Sequence, residues 1–196
     1  MEQKWDLFDS HTKIMNIRLL QPSDIDLMVE HLAHHISESG RDGSIIFAPY
    51  SSGKPWSVKC KPMILERWSK PLNEPNWERA WGAFDSDQLV GHLDLRARDL
   101  ATSLHRATLG MGILRSHQRA GLGKALIETA LIWAKEQATL AWIDLNVFAH
   151  NEPALHLYQK FGFTKIGRID DLFRIDGETI DDIMMTLQLP KGGGHP

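Results

Sequence analysis

The sequence predicts a mixed α/β (α+β) fold in one domain, on three observations. The chain has 196 residues, which is the size of a single domain with one apolar core. Hydrophobic residues make up 42% and charged residues 24% of the chain, a composition typical of globular proteins. Short apolar runs alternate with helical periodicity in the order β-α-α-β-β-β-α-β-α-β-β. A mixed sheet of about seven strands with helices packed against it accommodates that order.

The first third of the chain predicts one strand and two helices. Residues 13–21 form a β-branched run typical of a strand. Residues 22–36 follow with a Pro-Ser start signal and apolar side chains at helical spacing, which predicts a helix. Residues 37–56 are rich in Gly and Ser and predict a loop, and residues 61–72 predict a short helix that ends near Pro71.

The remainder predicts strands interrupted by two helices. One helix is predicted over residues 121–138, with an apolar stripe, and another over residues 152–161, with Pro153 in its first turn. Asp176-Gly177 is a turn signal between the last two strands. The predicted strands cover residues 77–84, 88–98, 106–115, 140–149, 163–175 and 178–189. The predicted organisation is an N-terminal arm (1–12), a single domain (13–190) and a flexible tail (191–196).

Composition disfavours several classes of function. The formal net charge of −3 argues against a nucleic-acid binder, which usually carries a basic excess. The single cysteine, Cys60, excludes an internal disulfide and indicates a reducing compartment. The polar start resembles no signal peptide, and no run approaches the roughly 20 apolar residues of a membrane span. We therefore expect a cytoplasmic protein without a membrane or nucleic-acid partner, whose oligomeric state stays open, a homodimer included.

The stretch SHQRAGLGKALIETALIWA (116–134) carries the most specific chemical signal. Gly121 and Gly123 stand where a predicted strand passes into a predicted helix, not in the helix interior, where each would cost about 1 kcal/mol against alanine. Such a turn exposes backbone N–H groups at the positive end of the helix dipole, which predicts an anion site, most often for phosphate. We expect both residues to be glycine because a Cβ would block the approach of phosphate oxygens.

Two common phosphate-binding patterns do not fit this stretch. A Walker A loop requires glycine where Gln118 stands and Ser or Thr where Ala125 stands, so a P-loop nucleotide binder is nearly excluded. A dinucleotide fingerprint requires a third glycine where Leu126 stands.

A third pattern does fit. Gln118-x-x-Gly121-x-Gly123 matches the Q/R-x-x-G-x-G/A signature of the GCN5-related N-acetyltransferases. NEPALHLYQKFGF (151–163) resembles the N-x-x-A-x-x-L-Y-x-K-x-G-F segment of the same family. At this spacing the chain resembles the GCN5-related N-acetyltransferase (GNAT) superfamily over residues 77–189, and earlier residues match in element order only. The resemblance implies helices on both faces of the sheet and a V-shaped splay between strands 4 and 5, where acetyl-CoA binds.

The resemblance also implies a set of cofactor-binding residues and no metal. The pantetheine arm would pair with the backbone at the end of strand 4, and the pyrophosphate would rest on the glycine turn. Arg119 and Lys124 would add positive charge there, or they are solvated charges at a helix end. Asn151 matches an asparagine that helps to hold the cofactor, and it fits equally well as a helix N-cap. The implied cofactor-binding residues are Ile113, Leu114, Arg115, Gln118, Arg119, Ala120, Gly121, Leu122, Gly123, Lys124 and Asn151.

The candidate catalytic residues are Tyr158, His92 and Asp94. Tyr158 falls on the family's tyrosine near the acyl sulfur, which implies a general acid for the departing thiolate; packing on its own helix is the alternative. The family often places a carboxylate base on the strand before the glycine turn, but Thr108 stands at the aligned position. His92 and Asp94 share one face of the preceding strand, so either could serve as the base, and a polar outward face is the alternative.

His31 and His35 lie one turn apart on the first predicted helix. The spacing permits a metal pair, but no H-E-x-x-H motif completes it, and a solvated helix face is favoured. Because the early helices of the family form a wall of the acceptor pocket, these histidines, with Glu30 and Glu38, could instead recognise a polar or cationic acceptor. The other candidates for a pocket wall are Trp56 and Trp68.

These observations predict an acetyl-CoA-dependent N-acetyltransferase that acts by direct attack of a primary amine. VGHLDL (90–95) and RIDGETIDDIMM (174–185) resemble small bacterial members that act on free amino acids or similar amines, which predicts a small-molecule acceptor. A peptide N-terminus or lysine, as in the ribosomal-protein members, is the alternative acceptor. A non-catalytic acyl-CoA-binding regulator is the alternative from another class; Thr108 favours it and Tyr158 opposes it.

Overall fold

The computed structural model describes residues 16–51 and 60–190, over which seven strands form one mixed sheet. The strand order in the sheet is β1-β2-β3-β4-β5-β7-β6. The strands are β1 (Asn16–Leu19), β2 (Glu78–Asp85), β3 (Gln88–Ala97), β4 (Arg106–Ile113), β5 (Trp142–Phe148), β6 (Thr164–Ile175) and β7 (Glu178–Gln188). The α-helices of the described residues are α1 (Ile25–Ser37), α2 (Lys61–Ser69), α3 (Leu122–Glu136) and α4 (Glu152–Lys160). The predicted mixed fold and element order are confirmed.

Helices cover both faces of the sheet, as the resemblance implied. Because side chains alternate between the faces of a strand, neighbours on β2 enter different clusters. Ala80 packs with Met28 of α1 and Ile64 of α2. Trp81 packs in the larger cluster that contains Leu126 and the rest of the buried stripe of α3.

β4 and β5 are parallel neighbours that separate along their length. They pair only at Arg106 with Trp142, Ala107 with Ile143 and Thr108 with Asp144. β4 continues to residue 113 and β5 to residue 148 without further pairing to each other. The space between residues 109–113 and 145–148 is called the β4–β5 gap below. It confirms the splay between strands 4 and 5.

A charged cluster closes the lower end of the β4–β5 gap. Asp144 of β5 accepts hydrogen bonds from Arg106 Nε at 2.8 Å, Arg98 Nη2 at 2.9 Å and Thr186 Oγ1 at 2.7 Å. Burial would raise the pKa of the Asp144 carboxyl, but these hydrogen bonds outweigh burial and lower it. The cluster joins β4, β5 and β7 at the point where the gap begins, so it fixes where the strands separate.

A few element ends differ from the sequence-based expectation. β4 ends at Ile113, since Arg115 belongs to a 3₁₀ turn over Arg115–His117. α3 begins at Leu122, with Gly121 as its N-cap. No helix among residues 16–51 and 60–190 is long and apolar enough to cross a membrane. The expected arm (1–12), the start of the first strand (13–15), Trp56 and the tail (191–196) lie outside the described residues.

Candidate active site

The turn between β4 and α3 presents a row of backbone N–H groups without backbone acceptors. The first hydrogen bond at the start of α3 joins Ala125 N–H to the Gly121 carbonyl at 3.1 Å. Within the described residues, the N–H groups from Arg119 to Lys124 have no backbone acceptor. Arg119 (φ 63°) and Gly121 (φ 80°) are both left-handed, a conformation found in anion-binding backbone nests. The turn therefore has the form of an anion site at the positive end of α3.

The two glycines of this turn are required for different reasons. A Cβ on Gly121 would meet no atom within 4 Å, so its left-handed φ demands glycine and the space beside it is open. A Cβ on Gly123 would lie 3.0 Å from Leu157 Cδ2 and 3.4 Å from Ile113 Cδ1. The packing of α3 on α4 therefore gives a second reason for glycine at this position, beside the predicted approach of phosphate. A role for its N–H in phosphate binding stays a prediction.

The end of β4 directs alternate backbone groups to opposite sides. Leu114 N–H donates to the Val90 carbonyl beside β3 at 2.9 Å, and the Leu114 side chain is 1% exposed. The backbone of Leu114 is thus bound to the sheet, and its side chain is packed in the core. By alternation, Ile113 directs its backbone groups away from β3 and toward the β4–β5 gap.

Two side chains occupy backbone groups that the resemblance assigned to pantetheine. Gln118 Nε2 donates to the Ile113 carbonyl at 3.1 Å. Arg115 N–H donates to Glu38 Oε2 at 3.0 Å. Glu38, a candidate for acceptor recognition, therefore contacts the cofactor edge of the gap in this structure.

The remaining implied cofactor residues are placed as follows. Ala120 is exposed on the turn, Leu122 is buried in the core, and Lys124 Nζ lies 3.7 Å from Glu128 Oε1 on the surface of α3. The Asn151 side chain accepts Ala154 N–H at 3.3 Å, which confirms that it caps α4. Their part in cofactor binding stays a prediction.

The two candidate bases on β3 are buried, so the alternative of a solvated outward face is wrong. His92 is 5% and Asp94 7% exposed, and His92 Nε2 lies 3.7 Å from Asp94 Oδ2. Asp94 Oδ1 lies 2.7 Å from Arg96 Nε. Across the sheet, Asp94 pairs with Gly110 and His92 with Gly112 of β4. A Cβ on Gly110 would lie 2.7 Å from Asp94 Oδ2, and one on Gly112 would lie 2.5 Å from His35 Cδ2 and 2.7 Å from His92 Cε1.

Gly110 and Gly112 are functional candidates that the sequence analysis missed. Glycine at every second residue of a strand, as in LGMG, signals a close approach on one face, and that signal was available. Thr108 lies on the last rung before the gap, paired with Arg96 and Asp144. The carboxylate that lies on this part of β4 comes from Asp94 of the neighbouring strand β3, which fills the space over Gly110.

Tyr158 lies on the inner side of α4 and is 7% exposed. Its ring packs edge-on against Phe163, with 5.8 Å between the centroids, and its hydroxyl makes no hydrogen bond to the part of the chain that is described. Burial first, and then the charge of Asp94, raise the pKa of the Tyr158 phenol above its usual value. The phenol is therefore protonated at neutral pH, and it shares an electrostatic environment with Asp94.

His31 and His35 of α1 face the sheet, so the expectation of a solvated helix face for these two residues is wrong. His31 is 3% exposed, and its Nε2 lies 2.8 Å from His92 Nδ1. The His35 ring stacks on Phe47 with 4.6 Å between centroids, and His35 Nδ1 is buried without a hydrogen-bond partner among the described residues. Within residues 16–51 and 60–190 no group of His, Cys, Asp or Glu is arranged to hold a metal ion.

The other early candidates lie apart from this cluster. Trp68 is buried between α2 and β2 and donates from Nε1 to Glu78 Oε1 at 2.9 Å, so it is a core residue rather than part of a pocket wall. Burial raises the pKa of the Glu78 carboxyl, and the nearby charge of Asp94 adds to the effect. Glu30 is exposed.

The buried histidines predict an acid-sensitive fold. Burial lowers the pKa of His31 and His35 from 6.5 to about 4 and that of His92 well below 6.5, so the unfolded chain binds protons that the folded chain does not. The free energy of unfolding should therefore fall as the pH falls from 6.5, by about 1.4 kcal/mol per pH unit for each histidine. Glu78 acts in the opposite direction and offsets about one of the three histidines. Its raised pKa makes the folded chain bind a proton that the unfolded chain does not bind in the same pH range.

Urea titrations between about pH 7 and about pH 4.5 measure this slope. His31→Gln should reduce the slope by about one proton. A free energy of unfolding that stays constant over that range would contradict the assignment of buried neutral histidines.

The fold and the site together define a class of protein. Parallel strands that separate beside a helix N-terminus with free N–H groups, and a buried tyrosine on the helix after the second strand, are the features that the resemblance to the GCN5-related acetyltransferases implied. Residues 44–163 match the family model described as "Acetyltransferase (GNAT) family". The chain belongs to this family.

Two curated relatives show how far the similarity extends. Streptothricin acetyltransferase of Escherichia coli is 37% identical over 92 residues, which cover 46% of this chain and 49% of that protein. L-amino acid N-acetyltransferase AaaT of Escherichia coli K12 is 26% identical over 119 residues, which cover 60% of this chain and 73% of that protein. The match thus spans about half the length of the first relative and nearly three quarters of the second.

A solved structure shows the same fold. An acetyltransferase-like structure from Salmonella typhimurium, yncA, with its cofactor acetyl-CoA, superimposes with a TM-score of 0.72 at 16% identity. The similarity covers 92% of this chain and 96% of that chain.

Proposed function

We propose that the protein is an acetyl-CoA-dependent N-acetyltransferase whose acceptor is the primary amine of a small molecule, such as a free amino acid. The observation that carries the proposal is the buried His92–Asp94 pair, held over Gly110 and Gly112 where β4 separates from β5. The two relatives above support the acceptor class, since both are named for acetylation of a small molecule. A buried candidate base beside a gap, with free N–H groups at a helix N-terminus, fits amine acetylation from a thioester.

The residues at the gap fit acetyl-CoA. The N–H row from Arg119 to Lys124 would hold the pyrophosphate, because nothing in the described chain occupies it and Gly121 opens onto free space. Ile113 would pair with the pantetheine arm, which at its carbonyl would require Gln118 Nε2 to release the oxygen that it binds in this structure. Pairing at Arg115 would require Glu38 to release the backbone N–H that it accepts in this structure.

The proposed reaction uses one residue as the base and another as the acid. Acetyl-CoA supplies the acetyl group as a thioester, and direct attack by the amine forms a C–N bond while the C–S bond breaks. His92, supported by the Asp94 carboxylate, takes the proton that an ammonium group must lose before it attacks. Tyr158, protonated because its pKa is raised, donates a proton to the departing thiolate.

A thiol-release assay tests the proposal. The purified protein and acetyl-CoA would be given a panel of amino acids, polyamines, aminoglycosides and N-terminal peptides, and mass spectrometry would identify the acetylated product. We expect release with small amines, and His92→Gln serves as the matched control that removes the base. Release with peptides alone would move the acceptor to proteins. Silence across the panel, with CoA still bound in calorimetry, would favour a non-catalytic acyl-CoA binder.

A further inference from the structure

A row of polar groups runs from the Leu89 carbonyl of β3 through His31 of α1 to His92, the candidate base on β3, and to Asp94 beside it. His31 Nδ1 lies 3.2 Å from the Leu89 carbonyl oxygen. His31 Nε2 lies 2.8 Å from His92 Nδ1. His92 Nε2 then lies 3.7 Å from Asp94 Oδ2. All three side chains are less than 9% exposed, so their hydrogen bonds are made within the protein.

The partners fix the position of each proton. A carbonyl oxygen can only accept, so His31 Nδ1 carries the proton of that ring and His31 Nε2 carries a lone pair. His92 Nδ1 must then donate to His31 Nε2. Because burial keeps both rings neutral at neutral pH, His92 has no second proton, and its Nε2 carries a lone pair.

This arrangement leaves two acceptors facing each other. The lone pair of His92 Nε2 and the Asp94 Oδ2 atom lie 3.7 Å apart, too far for a direct hydrogen bond. Gly110 and Gly112 provide no side chain that could donate between them. An N–H group placed between these two atoms would donate to either acceptor, which their 3.7 Å separation allows.

We infer that His31 is a positioning residue that holds His92 in the tautomer with its Nε2 lone pair directed at Asp94, and that His92 Nε2 and Asp94 Oδ2 together accept an N–H of the acceptor's ammonium group. The inference rests on the proposed function for the identity of that donor. The proton passes from the ammonium nitrogen to His92 Nε2, which leaves the free amine to attack the thioester. The resulting imidazolium is stabilised by the Asp94 carboxylate.

Two substitutions at His31 separate tautomer control from packing. His31→Gln keeps an oxygen acceptor near the position of Nε2, whereas His31→Leu has a similar volume and no acceptor. In His31→Leu, a proton on His92 Nδ1 would be buried without a partner, so the proton should move to Nε2 and bond to Asp94. If His31→Leu does not fold, His31→Asn replaces it, since its amide can still donate to the Leu89 carbonyl without reaching His92.

The tautomer is measured directly, without turnover. Long-range ¹H–¹⁵N spectra of the ¹⁵N-histidine-labelled protein distinguish the protonated ring nitrogen of His92 from the bare one. We expect the Nδ1–H form in the wild type and in His31→Gln, and the Nε2–H form in His31→Leu or His31→Asn. An Nε2–H form in the wild type, or the same tautomer in every variant, would overturn the inference.

Kinetics provide the second measurement. His31→Leu should lower kcat about 10–100-fold and shift the pH at which kcat rises, while KM for acetyl-CoA stays within about twofold. His31→Gln should keep most of the activity. The other titratable and charged groups around His92, which are His35 on α1 and Asp94 and Arg96 on β3, are unchanged in both variants. Absence of acetylation with every amine would refute the proposed function, while the spectra would still decide the role of His31.

Discussion

Replacing Tyr158 with phenylalanine is expected to lower kcat about 100-fold or more, while the Kd for acetyl-CoA stays within about twofold. The substitution removes only the hydroxyl, and the ring that packs against Phe163 is retained. Because that hydroxyl has no hydrogen bond within the described part of the chain, its removal breaks no contact that stabilises the fold. The loss should therefore fall on the protonation of the departing thiolate.

The matched control is Tyr50→Phe, since Tyr50 and Tyr158 are the two tyrosines of the chain. Tyr50 is 46% exposed, and its substitution should leave kcat within about twofold of the wild type. Steady-state kinetics on both variants measure kcat, and isothermal titration calorimetry measures the Kd for acetyl-CoA. Equal kcat values for Tyr158→Phe and the wild type would remove Tyr158 from the role of general acid.

Gly121→Val is expected to weaken acetyl-CoA binding about 100-fold, which corresponds to the loss of roughly two hydrogen bonds to a charged group. Gly121 is left-handed, with φ of 80°, and a Cβ there would enter the open space beside the N–H row. The valine side chain would therefore stand where the phosphate oxygens must approach. Its backbone strain would also shift the neighbouring N–H groups.

Gly177→Val separates the strain from the effect on the ligand. Gly177 is also left-handed, with φ of 90°, and a Cβ on it would meet nothing within 4 Å. It lies in the turn between β6 and β7, so the two variants share the cost of about 1–2 kcal/mol for a left-handed side chain. Calorimetry should show normal CoA binding for Gly177→Val, and equal affinities for the two variants would show that the glycine turn is not the phosphate site.

The local pattern of the chain was enough to predict most of the fold. Strands and helices were predicted in the observed order because apolar periodicity and turn residues act over a few neighbours. The glycine turn was also predictable, since a strand followed by glycines and a helix leaves N–H groups free wherever it occurs. Asn151 as the cap of α4 follows from the same short-range chemistry.

Predictions that depended on distant partners were less successful. Residue spacing alone did not decide which face of its helix His31 occupies, and a solvent-exposed face was favoured. In the structure, the packing of α1 places His31 against His92, 61 residues further along the chain. The family's base position aligns with Thr108, which is not a carboxylate. The carboxylate of Asp94 lies over Gly110, two residues further along β4, because the register of β3 and β4 pairs these two residues. The packing reason for Gly123 was not predicted, because its contact with Leu157 is made between two separate helices.

The sequence by itself therefore determined the element order, the glycine turn with its free N–H groups and the placement of Tyr158 on α4, since each depends on residues a few positions apart. Only the tertiary structure decided where β4 and β5 separate, which side chains are buried together and which ring nitrogens of His31 and His92 meet. Those properties depend on strand register and on the packing of α1 against the sheet, which bring together residues that local sequence patterns do not connect.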